Sequence, residues 1–280
     1  MNMVRVALYQ AQSGIDPAAN AARLVAAVQE AKEGGAAMLF TPEMSGLLDR
    51  DRVRAGESAR DEADDVVLAA VRAAAADAGI WVHLGSLAVK GDGGKLANRG
   101  FVIDADGEVR GRYDKIHLFD VDLPTGESWR ESAMYAAGNE AVIVADTPVG
   151  KLGLTICYDL RFPALFERLS EAGADVIAVP AAFTVPTGKA HWQVLMRARA
   201  IEAALFVIAA AQAGQHEDGR ETYGHSMVVD PWGEVLTEMD GEPGLALVDI
   251  DLDRVAEVRR RIPVLEHRRQ IAPPIAPVTN

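Results

Sequence analysis

Gly153-Leu154-Thr155-Ile156-Cys157-Tyr158-Asp159-Leu160-Arg161-Phe162-Pro163 is the stretch that decides how this chain is read. Leu154 and Ile156 alternate with Gly153 and Thr155, the pattern of a buried strand, and the strand is expected to end at Cys157. Asp159 is a candidate cap for a following helix, and Pro163 fits its first turn, where a missing N–H costs nothing. The chain therefore turns sharply from strand to helix at Cys157. A thiol on such an edge, close to backbone N–H groups and a helix end, is expected to be exposed, to have a lowered pKa and to lie beside an oxyanion site. A buried structural cysteine is the competing reading, and this motif alone does not choose between them.

Working outward, the same order of elements stands on both sides of a long loop. Before it come a strand through Val4, Val6 and Leu8, a helix from Asp16-Pro17 to Gly34-Gly35, and an apolar strand over 36–40. An alanine-rich helix over 61–78 follows, then strands over 80–89, 97–103 and 109–113, separated by glycine turns. The loop, 119–140, carries Pro124, Trp129 and Tyr135, has no periodicity, and is expected to be ordered and functional. After it come strands over 141–145 and 151–156, a helix to Ala172, a strand over 175–179 and a loop over 180–189. A helix over 190–204, strands over 205–211, 225–230, 235–239 and 245–250, and a last helix capped by Asp251 and stopped by Pro263 complete the order. Each half reads strand, helix, strand, helix, then a meander. This predicts an α/β protein with two sheets packed face to face and helices outside, one domain over 1–270, and a proline-rich tail over 271–280.

Composition narrows the function. With 280 residues, 49% of them hydrophobic, the chain can bury a large core, and its net charge of −13 argues against nucleic acid or an anionic membrane as partner. A single cysteine excludes an internal disulfide framework and fits a reducing cytoplasm. The N-terminus has no basic-then-apolar signal pattern, and the longest apolar run, 203–211, is far shorter than the ~18 residues of a membrane span. A cytoplasmic protein is expected. Arg259-Arg260-Arg261 is read as a solvated helix face.

The six histidines show no i,i+4 pair, and no glycine-rich phosphate loop is present, so neither metal nor cofactor is expected. What remains is Cys157, Glu43 after Phe40-Thr41-Pro42, and Lys115 within Tyr113-Asp114-Lys115-Ile116-His117-Leu118, all at strand ends. Their chemistry is complementary. Glu43 can take and return the thiol proton, while Lys115 and the N–H after Cys157 can hold the negative charge made by attack on a carbonyl or nitrile. Glu131 is a second carboxylate able to keep the lysine charged and steer water. A Cys–His pair with His117 or His191 as base is the alternative.

The three blocks around Glu43, Lys115 and Cys157 resemble, in order and spacing, the signature blocks of the nitrilase superfamily of carbon–nitrogen hydrolases, and the resemblance runs from about Val4 to Gln270. It implies Glu43 as base, Lys115 as stabiliser of the tetrahedral intermediate, Cys157 as nucleophile and Glu131 as the second glutamate. It also implies a four-layer αββα sandwich, usually dimerised so that sheets continue across the interface. Phe183 to Trp192 and Tyr223 to Gly233 are similar to the deaminated-glutathione amidase branch, which implies a small carboxylated amide cleaved to 2-oxoglutarate and Cys-Gly. The ω-amidases acting on 2-oxoglutaramate share the first of these blocks more loosely. Tyr158, Arg161, Thr184 and His191 are the candidate substrate-binding residues; Arg161 can hold a carboxylate in two parallel hydrogen bonds, and Arg197 and Arg199 are read as structural. A catalytically silent binding protein and a redox-sensing thiol are the readings from other classes. The intact Glu43, Lys115 and Cys157 set counts against the first, and the lack of a resolving cysteine against the second.

Overall fold

Side-chain alternation along the first strand sorts residues between two cores. In β1 (Met3–Gln10), Val6 and Leu8 enter one buried cluster and Ala7 enters another. β2 (Met38–Phe40) divides the same way, with Met38 and Phe40 on one side and Leu39 on the other. The parallel register pairs Val6 with Met38 and Leu8 with Phe40, so each set shares a face. Full burial of such side chains contributes roughly 1.5–3 kcal/mol apiece. The structure is a computed structural model that describes residues 2–122, 126 and 128–273. Pro124 and most of the expected tail, 274–280, lie outside the described residues.

Two helices cover the outer face of this sheet. α1 (Pro17–Glu33) begins where Asp16 accepts the Ala18 N–H, with Pro17 in its first turn, and α2 (Arg52–Ser58) is a short helix capped by Asp51. α3 (Val66–Ala78) is capped by Asp65 and closed by Gly79 in the left-handed region. Glu62–Asp64 form a separate single turn, so the helix starts later than the predicted residue 61. Leu24, Val28, Val71 and Ala75 pack with Ala7, Leu39 and Val82 in the outer core.

The first half continues with β3 (Trp81–Lys90), β4 (Leu96–Ile103) and β5 (Val109–Asp114). The second runs through β6 (Val142–Thr147), β7 (Gly150–Leu154), α4 (Pro163–Glu171), β8 (Val176–Ala178), α5 (Val185–Ala203) and β9 (Phe206–Ala209). It ends with β10 (Met227–Val229), β11 (Val235–Glu238), β12 (Gly244–Asp251) and α6 (Asp253–Arg261). The sheets have orders β12-β1-β2-β3-β4-β5 and β6-β7-β8-β9-β10-β11. In each, a parallel trio is flanked by antiparallel strands, so the halves repeat one architecture. Inner-face residues of both sheets, among them Leu8, Phe40, Leu152, Leu154 and Val176, join one core, and helices cover the outside. This is the four-layer αββα sandwich.

Several local expectations are corrected. β7 ends at Leu154, before Cys157, and Cys157–Arg161 form a single tight turn. Asp159 caps no α-helix; α4 starts at Pro163 with Phe162 as its unbonded cap, because the carboxylate of Asp159 is turned back into the protein. The expected irregular loop 119–140 contains the hairpin Asp120–Asp122/Ser128–Arg130 and a two-residue strand, Tyr135–Ala136, paired with β4. α5 starts at Val185, earlier than the predicted 190, since Pro186 is compatible with a first turn. A further hairpin, Ala213–Gln215/Glu221–Tyr223, carries too few residues to show a pattern in the sequence. Arg259 is no solvated face: it donates to the Ala204 and Ala174 carbonyls and pins α6 to the second half. Among the described residues no helix is long and apolar enough to cross a membrane.

Candidate active site

Glu43 follows β2 in a loop clamped against β3. A Cβ on Gly85 would lie 2.2 Å from the Thr41 carbonyl oxygen and 2.4 Å from that of Pro42, so only glycine allows this approach. The Gly85 N–H donates to Thr41 Oγ1, the Met44 N–H to Ser86 Oγ, and Gln212 Nε2 to the Glu43 carbonyl. Met44, next in the chain, has φ +55°, which makes the loop sharp enough to aim the carboxylate.

Lys115 leaves the end of β5 and is 2% exposed. Its Nζ lies 2.9 Å from Glu43 Oε1 and 2.9 and 3.1 Å from the two oxygens of Glu131. Asn98 on β4 donates to both carboxylates, at 2.9 Å to Glu43 Oε1 and 3.2 Å to Glu131 Oε1. The Ala182 N–H donates to Glu43 Oε2 and the Phe119 N–H to Glu131 Oε2. Burial by itself would lower the lysine pKa; the carboxylates of Glu131 and Glu43 overrule it and hold the ammonium well above its ordinary value. The result is a buried cluster of two carboxylates and one cation.

Cys157 stands beside this cluster with φ +50°, a left-handed conformation that costs about 1–3 kcal/mol in a non-glycine residue. The turn is held by Asp159, which is fully buried and accepts from Ile156 N, Tyr113 Oη and His117 N at 2.8, 2.7 and 3.0 Å. His117 Nδ1 lies 2.7 Å from the same carboxylate. Arg199, on α5, adds a bond to the Leu160 carbonyl. The thiol is buried rather than exposed, and burial first, then the Glu43 carboxylate, push its pKa well above the ordinary value against the pull of Lys115. The expected lowering fails because the thiol is buried and has the Glu43 carboxylate beside it, while the helix starts only at Pro163, beyond the turn.

A cavity of about 620 Å³ opens onto Glu43, Lys115, Glu131 and Cys157 together. Tyr158, Arg161 and Thr184 also line it. The Arg161 guanidinium sits 5.5 Å from the centre of the Phe183 ring and 5.9 Å from that of Tyr158. His191 does not line the cavity; its Nδ1 lies 3.2 Å from Arg161. His117 does not line it either, being bonded to Asp159 and stacked on Phe162 at 3.6 Å. The Cys–His alternative therefore has no base at the thiol. Asn98, Phe119 and the Ala182 N–H were not recognised in the sequence. Among the described residues no group of His, Cys, Asp and Glu could hold a metal ion.

A proton-bearing thiol, a carboxylate acceptor and a fixed cation in one cavity form a set able to cleave an acyl–nitrogen bond through sulfur. The chain belongs to the carbon–nitrogen hydrolase family, which it matches over residues 5–260, and it is an amidase of that family. It is 39% identical over 275 residues to the deaminated glutathione amidase of Yersinia enterocolitica, covering 97% of this chain and 95% of that protein. The C. elegans NitFhit protein has the same fold, with a TM-score of 0.89 and 38% identity over 95% of this chain; the chain spans 65% of that longer protein. An amidase from Nesterenkonia sp. AN1 superposes with a TM-score of 0.76 at 28% identity, covering 92% of this chain and 99% of that one. A mutant form of that amidase shows Michael addition of acrylamide at its active-site cysteine.

Proposed function

We propose that this chain is a thiol amidase that hydrolyses deaminated glutathione to 2-oxoglutarate and cysteinylglycine through an acyl-enzyme on Cys157. The observation that carries the reading is the buried Glu43–Lys115–Glu131 cluster set beside the thiol in a cavity that also holds Arg161. Similarity to the Yersinia enterocolitica enzyme supports the substrate.

At rest the sulfur keeps its proton, since a thiolate would add another negative charge to a buried site that already holds two carboxylates and one ammonium. As the sulfur attacks the amide carbon, its proton passes to Glu43 and the developing charge on the carbonyl oxygen is met by Lys115. Collapse of this intermediate breaks the C–N bond. Glu43 gives its proton to the departing amine, and the acyl group stays on sulfur as a thioester. Water then loses a proton to Glu43 and attacks the thioester, the C–S bond breaks, and Cys157 recovers its proton. Glu131 keeps the lysine charged and fixed, and Arg161 binds the α-keto carboxylate of the acyl part. The chain acts in the cytoplasm as a homodimer, a state supported by exposed Val194 and Ile201 on α5 beside exposed Trp232, and checked by sedimentation.

The test is intact-mass spectrometry during turnover of the 2-oxoglutaryl amide of cysteinylglycine. The wild type should accumulate a 2-oxoglutaryl adduct that disappears with the substrate, and Cys157→Ala should show neither adduct nor turnover. Near-normal hydrolysis by Cys157→Ala would end the covalent mechanism.

A further inference from the structure

The cavity contains a second arginine that the steps above leave unused. Arg220 precedes the second strand of the hairpin Ala213–Gln215/Glu221–Tyr223 and lines the cavity. Its Nε donates to Asp218 Oδ2 at 2.5 Å, and the Asp218 side chain is fully buried. The guanidinium lies 5.5 Å from the centre of the Trp129 ring. Held on one edge and one face in this way, it has lost most of its rotamer freedom, yet among the described residues no hydrogen-bond partner meets its two Nη nitrogens. Trp129, which also lines the cavity, has a buried Nε1 that likewise lacks a partner among the described residues. The Arg220 Nη nitrogens therefore stand at one end of the cavity, positioned and open to a ligand acceptor.

Other lining charges are committed or exposed. Both Nη nitrogens of Arg130 bond Asp122 or backbone carbonyls, Arg52 Nη2 bonds the Arg130 carbonyl, and Asp49 is paired with Arg54. Arg50 and Glu221 are exposed.

An aromatic row joins the two cationic ends. Trp129 contacts Phe119 at 6.3 Å, Phe119 contacts Tyr158 at 5.1 Å, and Tyr158 meets Arg161. Arg220 ends the row beyond Trp129, and the N–H of its middle member, Phe119, bonds the Glu131 that holds Lys115. One guanidinium thus stands at each end, with the reactive groups tied to the middle. Deaminated glutathione has the matching layout: an α-keto carboxylate on the acyl side of the scissile amide and the glycine carboxylate on the amine side. We propose that Arg220, held over the Trp129 ring, binds the carboxylate of the departing amine, so that the enzyme selects amides charged on both sides of the cleaved bond. The assignment rests on the amidase reading above and names the second half of its specificity.

Three amides of one acyl group test it: 2-oxoglutaryl-cysteinylglycine, the same compound ending in glycinamide, and 2-oxoglutaramate. The wild type should cleave the first with a kcat/KM roughly 10–100-fold above the glycinamide form, the range expected for a charge-assisted bidentate contact. In Arg220→Gln, which can still donate to Asp218, the ratio should fall to about one. 2-Oxoglutaramate has no amine-side carboxylate and gauges the catalytic centre in each protein. Arg161→Met should weaken all three substrates alike. Equal wild-type rates on the acid and the glycinamide would overturn the Arg220 assignment and leave the amidase reading standing, as would a preference that survives in Arg220→Gln. Failure of the wild type on all three would instead overturn the amidase reading, and the Arg220 assignment with it.

Discussion

Lys115→Met tests two consequences of one cation held between two buried carboxylates. In the wild type the ammonium makes contacts of 2.9, 2.9 and 3.1 Å to Glu43 and Glu131. Methionine has a similar stem and no charge, so both carboxylates would lose their cation and keep neutral donors such as Asn98 and two backbone N–H groups. Breaking a buried pair in this way costs roughly 3–5 kcal/mol, because it strands a charge in a dry site. Loss of the oxyanion donor should separately lower kcat by about 10²–10³-fold or more. The two losses depend differently on pH. The folded pKa of Lys115 is raised, so its stabilisation is complete below the ordinary value of 10.5 and is lost only as pH rises through the higher folded value. In the variant the stranded carboxylates repel, and protonation of one relieves them, so the stability deficit should be larger near pH 8 than near pH 5. Urea titrations at both pH values measure the deficit, and turnover measures the catalytic loss. Adding Glu131→Gln removes one stranded charge and should recover stability but not activity. A Lys115→Met protein as stable as the wild type near pH 8 would refute the view that this lysine neutralises two buried carboxylates.

Two further outcomes follow from the buried groups. Alkylation of Cys157 by iodoacetamide in the absence of substrate should keep accelerating beyond pH 9.0, since burial and Glu43 push the thiol above that ordinary value; a plateau reached near neutrality would mean a thiolate preformed at rest. His83, 2% exposed on β3, has its pKa driven down to about 3 by burial. The unfolded chain therefore binds the extra proton first, and stability should fall as pH drops below 6.5, by up to about 1.4 kcal/mol per unit from this residue. His83→Leu should flatten that part of the acid limb in denaturant titrations, and an unchanged slope would count against a neutral buried imidazole.

The sequence made Glu43 and Cys157 legible because each stands just past an apolar run that has to be a strand, and Lys115 through the block Tyr113 to Leu118 around it. The doubled order of strands and helices was visible for the same reason: periodicity is local and survives without coordinates. What it could not supply was anything that arises when separate segments meet. Asn98 lies 55 and 33 residues in sequence from its two carboxylates, and no nearby residue announces them. The thiol pKa was misjudged because the local helix was counted, and burial first and the Glu43 carboxylate second were not. His191 sits within a motif that suggested substrate contact, yet its ring meets the outer side of Arg161. The start of α5 and the two short hairpins escaped because two or three residues carry no period.

The pairing of β1 with β12 sets the order in which this protein can be completed. Met3 to Gln10 leave the ribosome well before their antiparallel partners, Gly244 to Asp251. Until those emerge, one side of β1 is an unsatisfied edge able to recruit any other extended chain. Every residue of the catalytic cluster has been synthesised by then, so a nascent chain stopped after β11 would hold Glu43 and Lys115 on an unfinished first sheet, with Glu131 and Cys157 already made. Contacts of such long sequence separation are slow to form. Synthesis thus passes through an interval in which the catalytic residues are all present while the first sheet is unfinished and open to aggregation, and arrival of the closing strand ends both conditions together.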